Sequence, residues 1–267
     1  MRSQVMNAIS RPRHPYLDQD SPIAFAHRGG GLEAPENSLA AFARAIDLGY
    51  RYIETDVQVT ADGRLIIFHD PVLDNLTDGQ GRVGDLPWST VSQARVGGRE
   101  PIPLLDQVLE TWPHLRLNID PKSDAAAVAL ADALRRHSAL GRICVGSFSG
   151  ARLARLRHTL GDALCTSAGP WEVAQVWAAG YGLPLPAPVG PHALQVPVRH
   201  KGLTVVTPGL IRAAHASGLG VHVWTVDDAA EMDRLLDMGV DGIITDRPTL
   251  LREVMIRRGL WSDFSIR

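Results

Sequence analysis

Short apolar runs alternate with stretches of helical period along nearly the whole chain, and this alternation restricts the fold more than any other feature. The runs fall at 23–26, 52–57, 65–69, 115–120, 143–148, 163–166, 193–196, 221–226 and 242–245. Between most of them apolar residues recur at the spacing of a buried helix face. Asn37 reads as the cap of a helix that carries Leu39, Phe42, Ala43 and Ile46 and ends at Gly49. A second helix begins near Pro208, carries Leu210, Ile211 and Ala214, and ends at Gly218. Such alternation implies an α/β fold whose strands run parallel.

One connection is too short for a parallel crossover. Between the run ending at Val59 and the run starting at Leu65 stands Thr60-Ala61-Asp62-Gly63-Arg64, and Asp62-Gly63 is a hairpin turn signal. A two-residue loop pairs Ala61 with Arg64 and sets Asp56 opposite His69, so Glu54, Asp56 and His69 are expected on one face. Without this return strand eight runs remain, the number that closes a parallel barrel, and a chain of 267 residues suits a (β/α)8 TIM-type barrel. An open doubly wound sheet is the competitor, but no glycine-rich dinucleotide or P-loop fingerprint follows any run. The expected organisation is a polar N-terminal arm over 1–20 and a single barrel domain over 21–267, with a loop insertion at about 73–103.

Composition narrows the function. Lys and Arg total 27 against 29 Asp and Glu, a net charge of −2, which is not the electrostatic footprint of a nucleic-acid binder. The two cysteines, Cys144 and Cys165, give neither a disulfide framework nor a zinc spacing and read as buried thiols in a reducing compartment. Arg2, Arg11, Arg13, Asp18 and Asp20 leave no apolar signal core near the start, and every apolar run is broken before it could span a bilayer. The expectation is a cytoplasmic protein with no stable membrane anchoring and no evident partner protein.

Several runs end in groups that a core would not accept. The first ends in His27-Arg28-Gly29-Gly30-Gly31, the second holds Glu54 and Asp56, the hairpin return ends in His69-Asp70, and the run at 115–120 continues as Asn118-Ile119-Asp120-Pro121-Lys122. In a parallel barrel these ends share one rim. Three carboxylates crowded there repel one another unless a cation joins them, which points to a metal site of oxygen donors and so to Mg2+ or Ca2+. Arg28 and Lys122 add the fixed positive charge that a phosphate group requires, and two histidines can serve as an acid and base pair. The chemistry assembled is metal-assisted cleavage of a phosphate ester.

These residues resemble the glycerophosphodiester phosphodiesterase family. The likeness is carried by Ala26-His27-Arg28-Gly29, Ala34-Pro35-Glu36-Asn37-Ser38, Glu54-Thr55-Asp56-Val57, Phe68-His69-Asp70 and Asn118-Ile119-Asp120-Pro121-Lys122. It continues through Ser147-Phe148 and Val223-Trp224-Thr225-Val226 to Gly239-Val240-Asp241-Gly242-Ile243-Ile244-Thr245-Asp246-Arg247-Pro248. The resemblance implies a barrel that hydrolyses small glycerophosphodiesters to sn-glycerol 3-phosphate and an alcohol. By motif it makes Glu54, Asp56 and Asp120 ligands of one divalent cation, His27 and His69 the acid and base, and Arg28 and Lys122 phosphate contacts. The third ligand is commonly Glu in the family, whereas here it is Asp120, one methylene shorter.

Trp224 and Phe148 lie near run ends and are candidates for an apolar substrate wall, with core packing the competing expectation. Gln195 either reaches the cavity or bonds a loop. Two other functions compete with the leading one. A phospholipase D-like enzyme would cleave lysophospholipids or other lipid phosphodiesters at the same site, and a catalytically silent barrel would only bind.

Overall fold

The computed structural model describes residues 14–19 and 22–262. Its strands are β1 (Ile23–His27), β2 (Tyr52–Val59), β3 (Leu65–Ile67), β4 (Arg95–Val96), β5 (Glu100–Pro101), β6 (Arg116–Pro121), β7 (Ile143–Val145), β8 (Cys165–Thr166), β9 (Ala193–Pro197), β10 (Arg199–His200), β11 (Leu203–Thr204), β12 (Gly220–Trp224) and β13 (Gly242–Thr245). Eight of them pair in parallel in the order β8-β7-β6-β2-β1-β13-β12-β9. A parallel bridge between Ser167 and Ala193 closes the ring. Helices fill the crossovers, so the fold is the expected (β/α)8 barrel, with β3 antiparallel to β2.

Pleating gives each strand two faces. On β2, Ile53 and Val57 point out into the apolar layer beneath the helices. Tyr52, Glu54 and Asp56 therefore point into the barrel, from its base to its mouth. The same alternation sends Ile23, Phe25 and His27 inward on β1, Arg116, Asn118 and Asp120 on β6, and His222 and Trp224 on β12. Ile23, Phe25, Tyr52, Cys144, Cys165 and Ile244 pack together inside the base. Both cysteines are free and buried there, on adjacent strands.

Much of the expected 1–20 arm, 1–13 and 20, lies outside the described residues. Within it, Pro15–Leu17 forms a 3-10 turn whose Tyr16 is fully buried against the base cluster. Tyr52 Oη donates to the Tyr16 carbonyl at 2.8 Å and Arg116 Nη1 donates to it at 2.9 Å. This segment closes the base as a plug.

Two local expectations are corrected. In the hairpin Val57 pairs with Ile67 and Val59 with Leu65, one residue away from the register that sets Asp56 opposite His69. The loop has three residues, because Thr60 Oγ1 accepts from the Arg64 N–H at 2.9 Å and Gly63 takes φ +81°. The Phe68 N–H, not that of His69, then bonds the Asp56 carbonyl at 3.0 Å. Asn37, in turn, does not cap the first helix. Ser38 does, accepting from the Ala41 N–H, and the helix runs Leu39–Asp47.

The 73–103 segment folds over β3, with a helix at Trp88–Val91 and a β4–β5 ladder. Its Leu73, Val83, Val91 and Val96 share an apolar cluster with Ile66 and Phe68. Among the described residues no helix is long and apolar enough to cross a membrane.

Candidate active site

At the mouth the inward positions surround a cavity of about 440 Å³. His27, Arg28, Glu54, Asp56, His69, Asp120, Lys122, Phe148 and Trp224 all line it, so every side chain singled out from the sequence reaches one space. His69 arrives there by a route other than the one expected. It is not on the ladder; the chain leaves β3 after Ile67 and turns over the cavity.

The charged half is tightly paired. Asp56 and Asp120 are register partners on β2 and β6, and Lys122 Nζ stands between them, 2.6 Å from Asp56 Oδ1 and 2.9 Å from Asp120 Oδ2. Arg28 Nε lies 3.2 Å from Asp56 Oδ2, while its Nη1 is held by Glu36 at 2.9 Å. Burial pushes the Asp56 carboxyl up, but Lys122 and Arg28 outweigh it and hold the group below the ordinary range. Burial also raises Asp120, and there the nearby Lys122 opposes it only in part. Burial and then the Asp56 charge push Glu54 up to about 7. Glu54 Oε2 is buried with no hydrogen-bond partner among the described residues, and His27 Nε2 lies 3.6 Å from it.

Each histidine is fixed through Nδ1. His27 Nδ1 lies 2.7 Å from Asp246 Oδ1, and His69 Nδ1 lies 2.6 Å from Asp70 Oδ1. Each Nδ1 thus faces a carboxylate oxygen, and each Nε2 is left for other partners. Burial lowers the pKa of His27, but Glu54 and Asp246 outweigh it and leave the imidazole above its ordinary value.

The other half of the cavity is apolar, formed by Phe148, Ala168, Pro170, Val173 and Trp224. Phe148 is 70% exposed, so it is a rim residue and not core, and it meets Trp224 edge to face at 5.8 Å. Gln195 also reaches the cavity, in a reciprocal amide pair with Asn118 at 3.1 and 3.3 Å.

Three supporting residues were not legible as such in the sequence. Asn37, taken for a cap, is buried at φ +54°, donating to Asp56 Oδ2 at 3.2 Å and accepting from Thr55 Oγ1 at 2.7 Å. Glu36 clamps Arg28, itself at φ +52°, a strained setting for a side chain of that size. Asp246 belongs to the last strand end, and closure of the ring, which brings last strand to first, was the signal that could have found it.

The donor set suits a hard divalent cation. It is all oxygen, it comes from adjacent strands, and Glu54 Oε2 is a buried carboxyl oxygen with no hydrogen-bond partner among the described residues. As the side chains stand, no group of three or more His, Cys, Asp or Glu among the described residues converges closely enough to grip an ion, because Lys122 is between Asp56 and Asp120.

Comparison with known proteins places this geometry in context. The family model described as "Glycerophosphoryl diester phosphodiesterase family" matches residues 27–250. "Probable glycerophosphodiester phosphodiesterase 2" of Mycobacterium tuberculosis is 40% identical over 257 residues, which is 94% of this chain and 97% of that protein. A glycerophosphodiester phosphodiesterase of Caldanaerobacter subterraneus is 31% identical, covering 89% of this chain and 98% of its own length. The crystal structure of glycerophosphodiester phosphodiesterase from Agrobacterium tumefaciens superposes with a TM-score of 0.72 at 26% identity, covering 87% of this chain and 99% of that one.

Proposed function

This chain belongs to the glycerophosphoryl diester phosphodiesterase family and is a phosphoric diester hydrolase, and on that footing we propose that it hydrolyses glycerophosphodiesters to sn-glycerol 3-phosphate and an alcohol. The observation that carries the reading is the meeting of two Nδ1-anchored imidazoles, two fixed cations and three carboxylates in one cavity.

Members of the family generally use a divalent metal. Glu54, Asp56 and Asp120 would hold it here, as Mg2+ or Ca2+, and when bound it supplies positive charge against the phosphoryl oxygens. Lys122 Nζ would then give up its place between the two aspartates and pair with a non-bridging oxygen. Arg28, already oriented by Glu36, meets another. One of His27 and His69 takes a proton through Nε2 from the attacking oxygen, that of water or of a neighbouring substrate hydroxyl, and in the second route water then opens the cyclic phosphate. An O–P bond forms, the P–O bond to the alcohol breaks, and the second imidazole, which enters as the imidazolium with a proton on Nε2, gives that proton to the departing oxygen. Phe148 and Trp224 would form the apolar wall against the organic part of the substrate.

The apolar half of the cavity favours a second reading at the same site, cleavage of lysophospholipids, whose acyl chain would lie along Phe148, Val173 and Trp224. Glycerophosphocholine and lysophosphatidylcholine, each assayed for sn-glycerol 3-phosphate, lysophosphatidate, choline and phosphocholine, separate the readings. Release of sn-glycerol 3-phosphate from the first is the expected result. Release of phosphocholine, or no turnover of either with Mg2+ or Ca2+ supplied, would overturn the proposal.

A further inference from the structure

We propose that Asp246, itself locked in place by Asp227, is a positioning residue that holds His27 in the Nδ1–H tautomer with Nε2 directed into the cavity. The inference rests on reading His27 as one member of the acid and base pair. Its structural basis is separate from the assignment of any metal ligand.

Asp246 follows β13, whose neighbour in the closed ring is β1, the strand that ends in His27. Two hydrogen bonds fix its peptide: its N–H donates to Asp227 Oδ1 at 2.8 Å, and its carbonyl accepts from the Leu32 N–H at 3.2 Å. Thr245 Oγ1 donates to the same Asp227 oxygen at 2.9 Å, so Asp227 ties down two successive residues. The loop after His27 leaves room for this arrangement. A Cβ on Gly31 would lie 3.1 Å from Asp246 Oδ1, and one on Gly30 would meet the Pro248 ring at 2.6 Å.

A carboxylate beside the start of a helix can serve that helix as a cap. Asp246 does not. The helix Pro248–Arg257 has Arg247 as its N-cap residue, without a side-chain cap bond, and the Thr249 N–H is taken by Glu33 Oε1 at 3.0 Å. The Asp246 carboxylate is thereby left to His27 at 2.7 Å. His69 offers the internal contrast. Its partner Asp70 is the next residue in the chain and is steadied by the Asn75 side chain at 2.9 Å, an exposed contact. One imidazole is held by its chain neighbour and the other by the closure of the barrel.

The test is long-range 15N–1H correlation of the His27 ring in the full chain, above its titration, in wild type, Asp246→Ala and Asp246→Asn, with kcat, KM and thermal melting measured alongside. Wild type should show Nδ1–H. The alanine variant should relax toward Nε2–H, and the asparagine variant, whose amide can donate to Nδ1, should adopt it, each with kcat lower by about 10²-fold or more and KM within about threefold. Asp246→Asn is nearly isosteric, so it decides the matter should Asp246→Ala fail to fold. Persistence of Nδ1–H in Asp246→Ala, or in Asp246→Asn where the alanine variant does not fold, or a raised KM with kcat unchanged, overturns the proposal. Should wild type turn over no phosphodiester, the reading of the reaction fails while the tautomer measurement still decides whether Asp246 sets the ring.

Discussion

The two ends of the barrel interior are built by the same strands on the same two-residue period, yet they hold opposite chemistry. At the base, Tyr52, Arg116 and His222 point inward; at the mouth, Glu54, Asp56, Asp120 and His27 do. The base is closed by the Tyr16 plug, with Tyr16 and Tyr52 edge to face at 5.3 Å and Arg116 hydrogen-bonded to the Tyr52 hydroxyl and the Tyr16 carbonyl. Its buried atoms without a hydrogen-bond partner among the described residues, Tyr16 Oη and His222 Nδ1, are neutral. The mouth instead keeps an unpaired carboxylate oxygen and stacks cations against anions around an open cavity. Close packing at one end supplies stability, and charged groups gathered around a cavity at the other supply chemistry, so a barrel can carry a strained site without unfolding.

That division is broken most directly at the mouth. His27→Ala or His69→Ala should lower kcat by about 10²- to 10⁴-fold while leaving the melting temperature nearly unchanged, as read by steady-state kinetics and calorimetry. A parallel loss of thermal stability would show that the mouth also carries the fold. At the base the reverse holds. Tyr16→Ala removes a fully buried ring and should cost about 3 kcal/mol or more in denaturant unfolding, with kcat per folded molecule retained.

His222 sharpens the comparison through pH. It is buried beside the Phe25 ring at 5.0 Å, and burial lowers its pKa to about 4, against a weaker opposing pull from Asp241. Asp241 in turn is bonded to His215 at 2.7 Å and to the Val221 N–H. The unfolded chain binds this proton near the ordinary 6.5, so the stability His222 contributes is complete above that pH and is lost as pH falls toward about 4. The loss is on the order of 3 kcal/mol, and His222→Leu should flatten that part of the unfolding pH profile. Smallest is Tyr16→Phe, which deletes only an unpaired buried hydroxyl and should change stability by less than about 1 kcal/mol, in either direction, in the same unfolding experiment.

The hairpin shows how a correct grouping can follow from an incorrect register. Asp62-Gly63 marks the turn, but Thr60 folds its hydroxyl onto the Arg64 N–H and lengthens the loop by one residue, which by pleat alone would turn His69 to the wrong face. His69 still reaches the cavity because it lies beyond the ladder, where the chain is free to turn. Asn37 failed as a cap for a related reason. Two adjacent residues, Asn37 and Ser38, could each cap the helix, and only the position of Asp56 19 residues away decides that Asn37 is spent on the carboxylate.

What the amino-acid order determined by itself was facing. Alternation along each strand depends only on local backbone geometry, so Tyr52, Glu54 and Asp56, or Arg116, Asn118 and Asp120, are assigned to one side without knowledge of any neighbour. Which groups meet across the barrel was decided by the tertiary structure. Lys122 between Asp56 and Asp120, and Asp246 against His27 across 219 positions of sequence, exist because ring closure fixes strand neighbours and their stagger. Those depend on the packing of the whole sheet and not on any one segment.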